Sequence, residues 1–434
     1  MNNKDDDKTI PVDPDKSPVT MKSGSITGNE NNFAVEFFSN GSNAVTVTIA
    51  AQLYYTDIIN GKPVDVDVDI ENKDQVDITL VDFNDPNLLK YSPSYGPIKP
   101  EDYDLFTSSS NWKKYEKSDG LYTRVISASR VAMLPIPRAN ILHKKTFYVT
   151  TTSISETIRL GVILTFKYKG DDPENEKPKR TYIVFSEKNT ESFTAKTPLT
   201  LKLVKPIDYS NAPEKQVVVN TPGWQNVSNS IHWKRERDGT GATQEYNGVF
   251  SKNYITFTPA EYTSPNHTVL DDIKFLDVTL TSPPEDPQNL TFEGSPELLC
   301  AISPQISFAG SNDGGGGILI WRKTPALNTS SLAGFEFPGV TFTDVSYKYT
   351  IGQNADSSIT VPAGTSAHLV GLVLWIPGGE FTLQKTLSPE GWNTGKNTPI
   401  NASVIDSFGN SGHFFINFIN KDGSGNPNVS LSKS

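Results

Sequence analysis

The chain has 434 residues, of which 36% are hydrophobic and 20% charged, with 31 glycines, 30 prolines and a net charge of −10. This length suffices for two or three domains, and the abundance of turn-forming residues is typical of many short strands. The negative charge repels nucleic acid and anionic lipid, so we expect no nucleic-acid partner. A single cysteine, Cys300, excludes an internal disulfide.

The chain begins with 21 polar, acidic and proline-interrupted residues, which predict a disordered acidic arm. The sequence shows neither the pattern of a secretory signal peptide nor an apolar run long enough to span a membrane. We therefore expect an extracellular or host-directed location that is reached without a classical signal, or alternatively a place in a particle.

Apolar and polar residues alternate with period two along most of the chain, and this alternation predicts half-buried strands. The clearest examples are VTVTIAAQLYY (45–55) and IRLGVILTFKYKG (158–170), and RTYIVFSEK after the second is its predicted hairpin partner. TFTDVSYKYTI, AHLVGLVLWI and GHFFINFI predict further strands, and AHLVGLVLWI is apolar on both faces, as expected inside a sheet. Only PEDYDLF and SPELLCAI could form single helical turns.

The alternation is broken at Pro206, Asn211 and Pro213, which predicts a linker at residues 206–214. The sequence on either side predicts an all-β fold with two β-sandwich or jelly-roll-like domains, at 22–205 and 215–434. A further division of the second domain near residue 300 stays open.

The segment PVDVDVDIENKD carries a row of carboxylates at Asp65, Asp67 and Asp69 on one face of a predicted strand. Such a row could bind calcium only if a loop supplied further oxygen ligands, and the glycine of an EF-hand loop is missing. We favour a solvated edge strand whose charges oppose pairing with other sheets, and we expect no cofactor. A calcium site at these three residues is the alternative.

Two loops place a tryptophan after a Pro/Gly turn and follow it with amide side chains. TPGWQNVSN contains Trp224, Gln225 and Asn226, and SPEGWNTGKN contains Trp392 and Asn393. A flat apolar ring beside amide donors and acceptors is an arrangement that holds sugars on shallow sites. These five residues are the predicted ligand site, and the alternative is that each tryptophan begins a strand and points into the core.

Several patterns that suggest catalysis fail on inspection. The glycines of GSNDGGGGILIW are followed by an apolar strand rather than by the Lys-Ser/Thr and helix of a phosphate-binding loop, so they predict a hairpin connection. GNSGH and TSAHL resemble the nucleophile and base segments of trypsin-like proteases, but too few residues separate them to build that fold. The histidines lack zinc-ligand spacing.

The stretch KTFYVTTTSISETIRLGVILTF (145–166) could form an amphipathic hairpin of the kind that enters membranes. The same pattern occurs in soluble β-proteins, so we expect no membrane insertion.

These observations predict a non-enzymatic surface-binding protein, a bacterial lectin-like toxin or adhesin that recognises a glycan or another host-cell component. The first alternative is a structural subunit of a viral or phage particle, in a capsid, tail or outer shell. The second is a polysaccharide-active enzyme on a β-sandwich, because a catalytic carboxylate pair is not recognisable in one sequence. Homo-oligomer formation stays open.

Overall fold

The structure is a computed structural model of the chain. By their contacts the residues form two compact units: Met1–Pro206 with Thr263–Val269, and Ile207–Tyr262 with Leu270–Ser434. The structure describes residues 19–68, 75–88, 99–129, 143–153, 157–167, 180–187, 189–190, 197–221, 225–237, 243–281, 291–293, 298–303, 317–322, 341–344, 347–351, 369–375, 399–419 and 428–434.

The described part of the first unit is built from strands and short 3₁₀ turns, the latter at Asn29–Asn31 and Pro100–Asp102. Its strands are β1 (Thr20–Thr27), β2 (Ala34–Phe38), β3 (Val45–Ile59), β4 (Lys62–Asp67), β5 (Val76–Asp82), β6 (Trp112–Tyr115), β7 (Ser127–Ser129), β8 (His143–Thr151), β9 (Thr157–Lys167), β10 (Arg180–Phe185) and β11 (Leu199–Val204).

These strands form two sheets. One sheet has the order β1-β3-β8-β6, with β4 paired to β3, and the other has the order β10-β9-β11-β2-β7, with β5 paired to β9. Every pair is antiparallel except β2 and β11, which are parallel. Both sheets contribute side chains to one hydrophobic core, in which Phe37 and Phe185 are fully buried.

The core side of β3 follows from its sequence. Alternate residues point to the same face of a strand, so one run of apolar positions is buried together. Gln52 alternates with these apolar positions and so points to the opposite face, where it is nevertheless buried, with hydrogen bonds to Ser23 and Asp67. The predicted apolar face is confirmed by the burial of Val45, Val47, Ile49, Ala51, Leu53 and Tyr55.

The second alternating stretch forms β9, and RTYIVFSEK supplies β10, its predicted antiparallel partner. β8 and β9 do not pair with each other, although KTFYVTTTSISETIRLGVILTF spans both. β8 pairs with β3 and β6 in one sheet, whereas β9 pairs with β5, β10 and β11 in the other. The two halves of this stretch therefore face each other across the core rather than forming a hairpin.

A short segment from beyond the predicted linker, Thr263–Val269, belongs to the first unit. Its Asn266 donates a 2.9 Å hydrogen bond from Nδ2 to Oε1 of Glu36, and Ser127 donates a 2.9 Å bond from Oγ to Oε2. Glu36 lies on β2 and is 1% exposed. The two donors partly replace the water that a buried carboxylate loses.

The described part of the second unit is also nearly all β. Its elements are α1 (Pro213–Gln216), β12 (Val217–Asn220), β13 (Gln225–Arg237), β14 (Thr243–Pro259), β15 (Tyr262–Thr263), β16 (Val269–Leu270), β17 (Phe275–Thr281), β18 (Thr291–Glu293), β19 (Leu298–Ser303), β20 (Gly317–Arg322), β21 (Thr341–Asp344), β22 (Tyr347–Ile351), β23 (Leu369–Trp375), β24 (Ile400–Asp406), β25 (Ser411–Ile419) and β26 (Asn428–Lys433). The short β15 and β16 pair with each other, and each has one residue in the first unit, at the ends of the segment Thr263–Val269.

The largest sheet has nine strands in the order β18-β21-β22-β13-β14-β23-β20-β19, with β12 also paired to β14. β23 contains the predicted central strand AHLVGLVLWI and lies between β14 and β20. A second sheet has the order β17-β24-β25-β26. Phe257 of β14 and Phe414 of β25 meet edge to face at 6.4 Å, which joins the two sheets of this unit.

The last five residues of SPELLCAI lie in a strand, so the suggestion of a helical turn there was wrong. Residues 298–303 form β19, which pairs with β20 along its length. Ladder hydrogen bonds to β20 outweigh the weak helix preference of Leu and Ala. Gly317 begins β20 directly opposite Ser303, so the glycines before it lie in the connection between two paired antiparallel strands. Residues 304–316 lie outside the described residues.

The all-β prediction is confirmed, and the assignment to sandwich or jelly-roll domains stays a prediction. Two segments differ in detail from the sequence-based boundaries. Val19 and Met21 fall within the predicted arm but are buried in the first unit. Tyr209 falls within the predicted linker 206–214 but is fully buried in the second unit.

Candidate functional site

The predicted tryptophan loops lie mostly outside the described residues, which include neither Trp224, Trp392 nor Asn393. Gln225 and Asn226 are the first two residues of β13, opposite Lys252 and Ser251 of β14. The predicted ligand site therefore stays a prediction.

The acidic row begins on β4, which pairs with β3. Asp65 Oδ1 accepts a 3.1 Å hydrogen bond from Thr56 Oγ1, and Asp67 Oδ1 accepts a 3.0 Å bond from Gln52 Nε2. Asp69 lies outside the described residues. Within the described ranges, His, Cys, Asp and Glu side chains do not come together in any group of three or more that could hold a metal ion.

A cavity of about 380 Å³ lies in the first unit and takes its walls from both sheets. β6 and β8 contribute from one sheet, and β5, β9 and β10 contribute from the other. Its volume is within the range of sites for small molecules. The residues that line it are Asp77, Ile78, Thr79, Pro100, Glu101, Asp104, Lys114, Glu116, Lys145, Phe147, Thr165 and Tyr182.

Phe147 lines the cavity but is only 2% exposed, and two ammonium groups lie near its ring. The Nζ atoms of Lys114 and Lys145 lie 5.3 and 5.2 Å from the centre of its ring, within the range of cation–π attraction. Lys145 Nζ also lies 3.4 Å from Glu116 Oε1, in a partly exposed pair that contributes little to stability. Lys114 contacts a second ring, that of Phe106, at 5.5 Å.

The loop between β5 and β6 forms another part of the cavity wall. Leu105 donates its backbone N–H to the carbonyl of Leu80, and Asp104 Oδ1 accepts the backbone N–H of Phe106. The Phe106 ring meets the buried Trp112 edge to face at 6.3 Å. These contacts fix residues 104–106, so Asp104 is held at the cavity wall, with Glu101 three residues before it.

Across the cavity, Asp77 of β5 pairs with Lys167 of β9 at 2.5 Å. Tyr182 of β10 supplies a second aromatic side chain together with a hydroxyl group. The wall therefore combines the partly exposed ring of Tyr182 with ammonium donors and carboxylate acceptors within one small volume, whereas Phe147 belongs mainly to the core. Neutral polyhydroxyl molecules present both donors and acceptors, and such a lining can satisfy both.

Sequence reasoning missed this cavity. Lys145 and Phe147 lie in a stretch that was read only for its alternation, and Lys114 is separated from them by about thirty positions. The sequence did contain one signal, since β6 and β8 each carry lysines near aromatic residues. These lysines come together only because β6 pairs with β8, which places Lys114 opposite Val149.

The second unit contains a buried carboxylate, Asp406, at the end of β24. Its Oδ1 accepts the backbone N–H groups of Phe408 and Asn410, at 2.8 and 2.9 Å. Its Oδ2 accepts the Tyr209 hydroxyl at 2.8 Å and Asn410 Nδ2 at 2.9 Å. Burial raises the pKa of Asp406, although each of these four donors acts in the opposite direction. All four fix the turn between β24 and β25, so this cluster has a structural role.

Tyr209 gives a prediction about alkaline stability. Burial, followed by the charge and hydrogen bond of Asp406, raises the pKa of its hydroxyl above the ordinary value. The folded state therefore holds this proton more tightly than the unfolded state, and the stabilisation is complete below about pH 10 and lost above it. We expect unfolding free energy measured against pH to fall more steeply above this pH in the native protein than in Tyr209→Phe. Equal slopes would contradict this assignment.

Comparison with protein-family models and with curated protein sequences finds no match for this chain. Within the described residues, no helix has the length and hydropathy needed to cross a membrane.

Proposed function

We propose that this chain is a non-enzymatic carbohydrate-binding protein and that the cavity of the first unit is a binding site for neutral sugar residues. The proposal rests on one observation, namely that the cavity combines the partly exposed aromatic side chain of Tyr182 with ammonium and carboxylate groups. A partly exposed aromatic ring such as that of Tyr182 can pack against the apolar C–H surface of a sugar ring, and the charged groups can make hydrogen bonds with its hydroxyls.

Charges of both signs favour a polyol over a strongly charged ligand. Lys145 is paired with Glu116 and Asp77 is paired with Lys167, so these groups carry little uncompensated charge. Paired groups keep free donor and acceptor positions that hydroxyls can use. The proposed role is therefore recognition of a glycan, and the predicted toxin or adhesin role is a finer version of the same proposal.

Binding of a broad glycan panel tests this proposal, with Lys114→Ala and Lys113→Ala as matched variants. Both lysines lie on β6, but Lys114 lines the cavity, whereas Lys113 is exposed and bonds to the Ser108 carbonyl. We expect Lys114→Ala to weaken binding about tenfold, because it removes a charge-assisted hydrogen bond, and Lys113→Ala to leave binding unchanged.

Equal loss in both variants, or binding to no glycan in the panel, would contradict the cavity proposal. Loss of binding in Trp224→Ala or Trp392→Ala, with Lys114→Ala unaffected, would instead place the site at the tryptophan loops. Release of shortened glycans would overturn the non-enzymatic assignment. A large assembly of defined mass, without glycan binding, would favour the particle subunit.

A further inference from the structure

The sequence contains three Asn-Gly pairs: Asn40-Gly41, Asn60-Gly61 and Asn247-Gly248. An asparagine side chain can be attacked by the backbone nitrogen of the next residue, and glycine hinders this attack least because it has no Cβ. The nitrogen must lose its proton and approach Cγ of the asparagine. The three pairs are chemically equivalent. Which of them reacts therefore depends on whether the pair is exposed and whether the N–H of its glycine is free of a hydrogen bond.

Asn60 and Gly61 form the tip of the β3–β4 hairpin, between the paired residues Ile59 and Lys62. Both have positive φ, 53° and 75°, as in the tightest two-residue hairpin turns. Both residues are exposed, and no atom lies within 4 Å of the position that a Cβ on Gly61 would occupy. In the part of the chain that the structure describes, the Gly61 N–H has no hydrogen-bond partner.

Asn40 and Gly41 are held differently. The Gly41 N–H donates a 3.0 Å hydrogen bond to the carbonyl of Thr151. This bond must break before the reaction can remove the proton. Asn40 Oδ1 accepts the backbone N–H groups of Ser42 and Asn43, at 2.9 and 2.6 Å, which fixes the side chain. The third pair lies within the β13–β14 ladder, with Asn247 opposite His232 and Gly248 opposite Ile231.

We propose that Asn60 is a site of spontaneous deamidation and that Asn40 is protected from the same reaction. The deprotonated Gly61 nitrogen attacks Cγ of Asn60 and forms a new N–C bond, while the Cγ–Nδ2 bond breaks and the side-chain nitrogen leaves as ammonia. Water then opens the five-membered imide at either carbonyl. The products are aspartate or isoaspartate at position 60, and the reaction needs no oxidant, reductant or cofactor.

Either product changes the hairpin. Aspartate adds a negative charge at a tip that already carries Asp57 and Asp65. Isoaspartate lengthens the main chain by one methylene within a two-residue turn, whose length fixes the register of β3 and β4. Ile58, beside this turn, is 72% exposed, so the change alters an apolar surface available to solvent.

Peptide mapping by mass spectrometry after incubation of the full chain in mildly alkaline buffer tests the proposal. In the folded protein we expect Asn60 to convert at least about tenfold faster than Asn40, since each hydrogen bond that holds Asn40-Gly41 must first open. In the denatured chain the three pairs should convert at similar rates, because the same Asn-Gly chemistry then acts without the fold. Mildly acidic buffer should slow conversion, because fewer Gly61 nitrogens are deprotonated.

Asn60→Gln provides the chemical control, because its longer side chain would form a less favourable six-membered ring, and conversion at position 60 should fall to background. Conversion of Asn60 no faster than Asn40 in the folded protein would overturn the proposal. So would a native rate ratio equal to the ratio in the denatured chain, since the fold would then have no influence.

Discussion

Asp406→Ala is expected to lower the free energy of unfolding of the second unit by about 4 kcal/mol. The carboxylate is fully buried and accepts hydrogen bonds from Tyr209, Phe408 and twice from Asn410. Alanine would leave these four donors without their acceptor in a site that water does not reach. The cost of unsatisfied buried donors exceeds the desolvation cost of the carboxylate that they surround.

Hydrogen exchange of peptides from β24 and β25 measures this loss locally, and urea unfolding measures it globally. Asp277→Ala is the matched control, because Asp277 is exposed on β17, which pairs with β24. We expect the control to change stability by less than about 0.5 kcal/mol. Similar exchange in both variants would show that the Asp406 cluster does not hold this turn.

Gly161→Ala is expected to destabilise the first unit by about 3 kcal/mol. Gly161 lies in the middle of β9, and a Cβ there would lie 2.5 Å from the carbonyl oxygen of Phe185 and 3.2 Å from Cα of Phe83. Both contacts are with backbone, so a rotamer change cannot relieve them. β10 and the residues after β5 would have to move away from the core.

The matched control is Thr157→Ala, at an exposed position on the same strand. It is expected to cost less than about 1 kcal/mol, which is the span of strand preference. The two variants are compared by urea unfolding and by hydrogen exchange in β9 and β10. If the amides of β9 and β10 exchange as slowly in Gly161→Ala as in the native protein, the backbone does not pack against Gly161 as closely as described.

The alternation along β3 and β9 could be recognised in the sequence because a strand places successive side chains on opposite faces. This local rule also identified the β9–β10 hairpin, in which the two strands lie close in sequence. It failed for SPELLCAI, where a short apolar run suits a strand or a helical turn equally and pairing with β20 decides.

Buried polar groups were beyond the reach of the same rule. Glu36 is buried beside a donor from residue 266, and Asp406 is buried beside the hydroxyl of residue 209. In both cases the compensating partner comes from about two hundred positions away, and no local pattern indicates it. Tyr209 was therefore placed in the predicted linker, because nothing among the neighbouring prolines and asparagines indicates that its hydroxyl bonds to Asp406.

The sequence by itself determined that the protein is all β, because strand periodicity and turn residues are local properties of the chain. It also excluded a disulfide through the single Cys300. Only the tertiary structure decided where polar side chains converge. The cavity around Phe147 exists because β6 pairs with β8 while β5 and β10 flank β9 in the other sheet. Long-range strand pairing brings these charges together, and it depends on the packing of the whole unit rather than on any one segment.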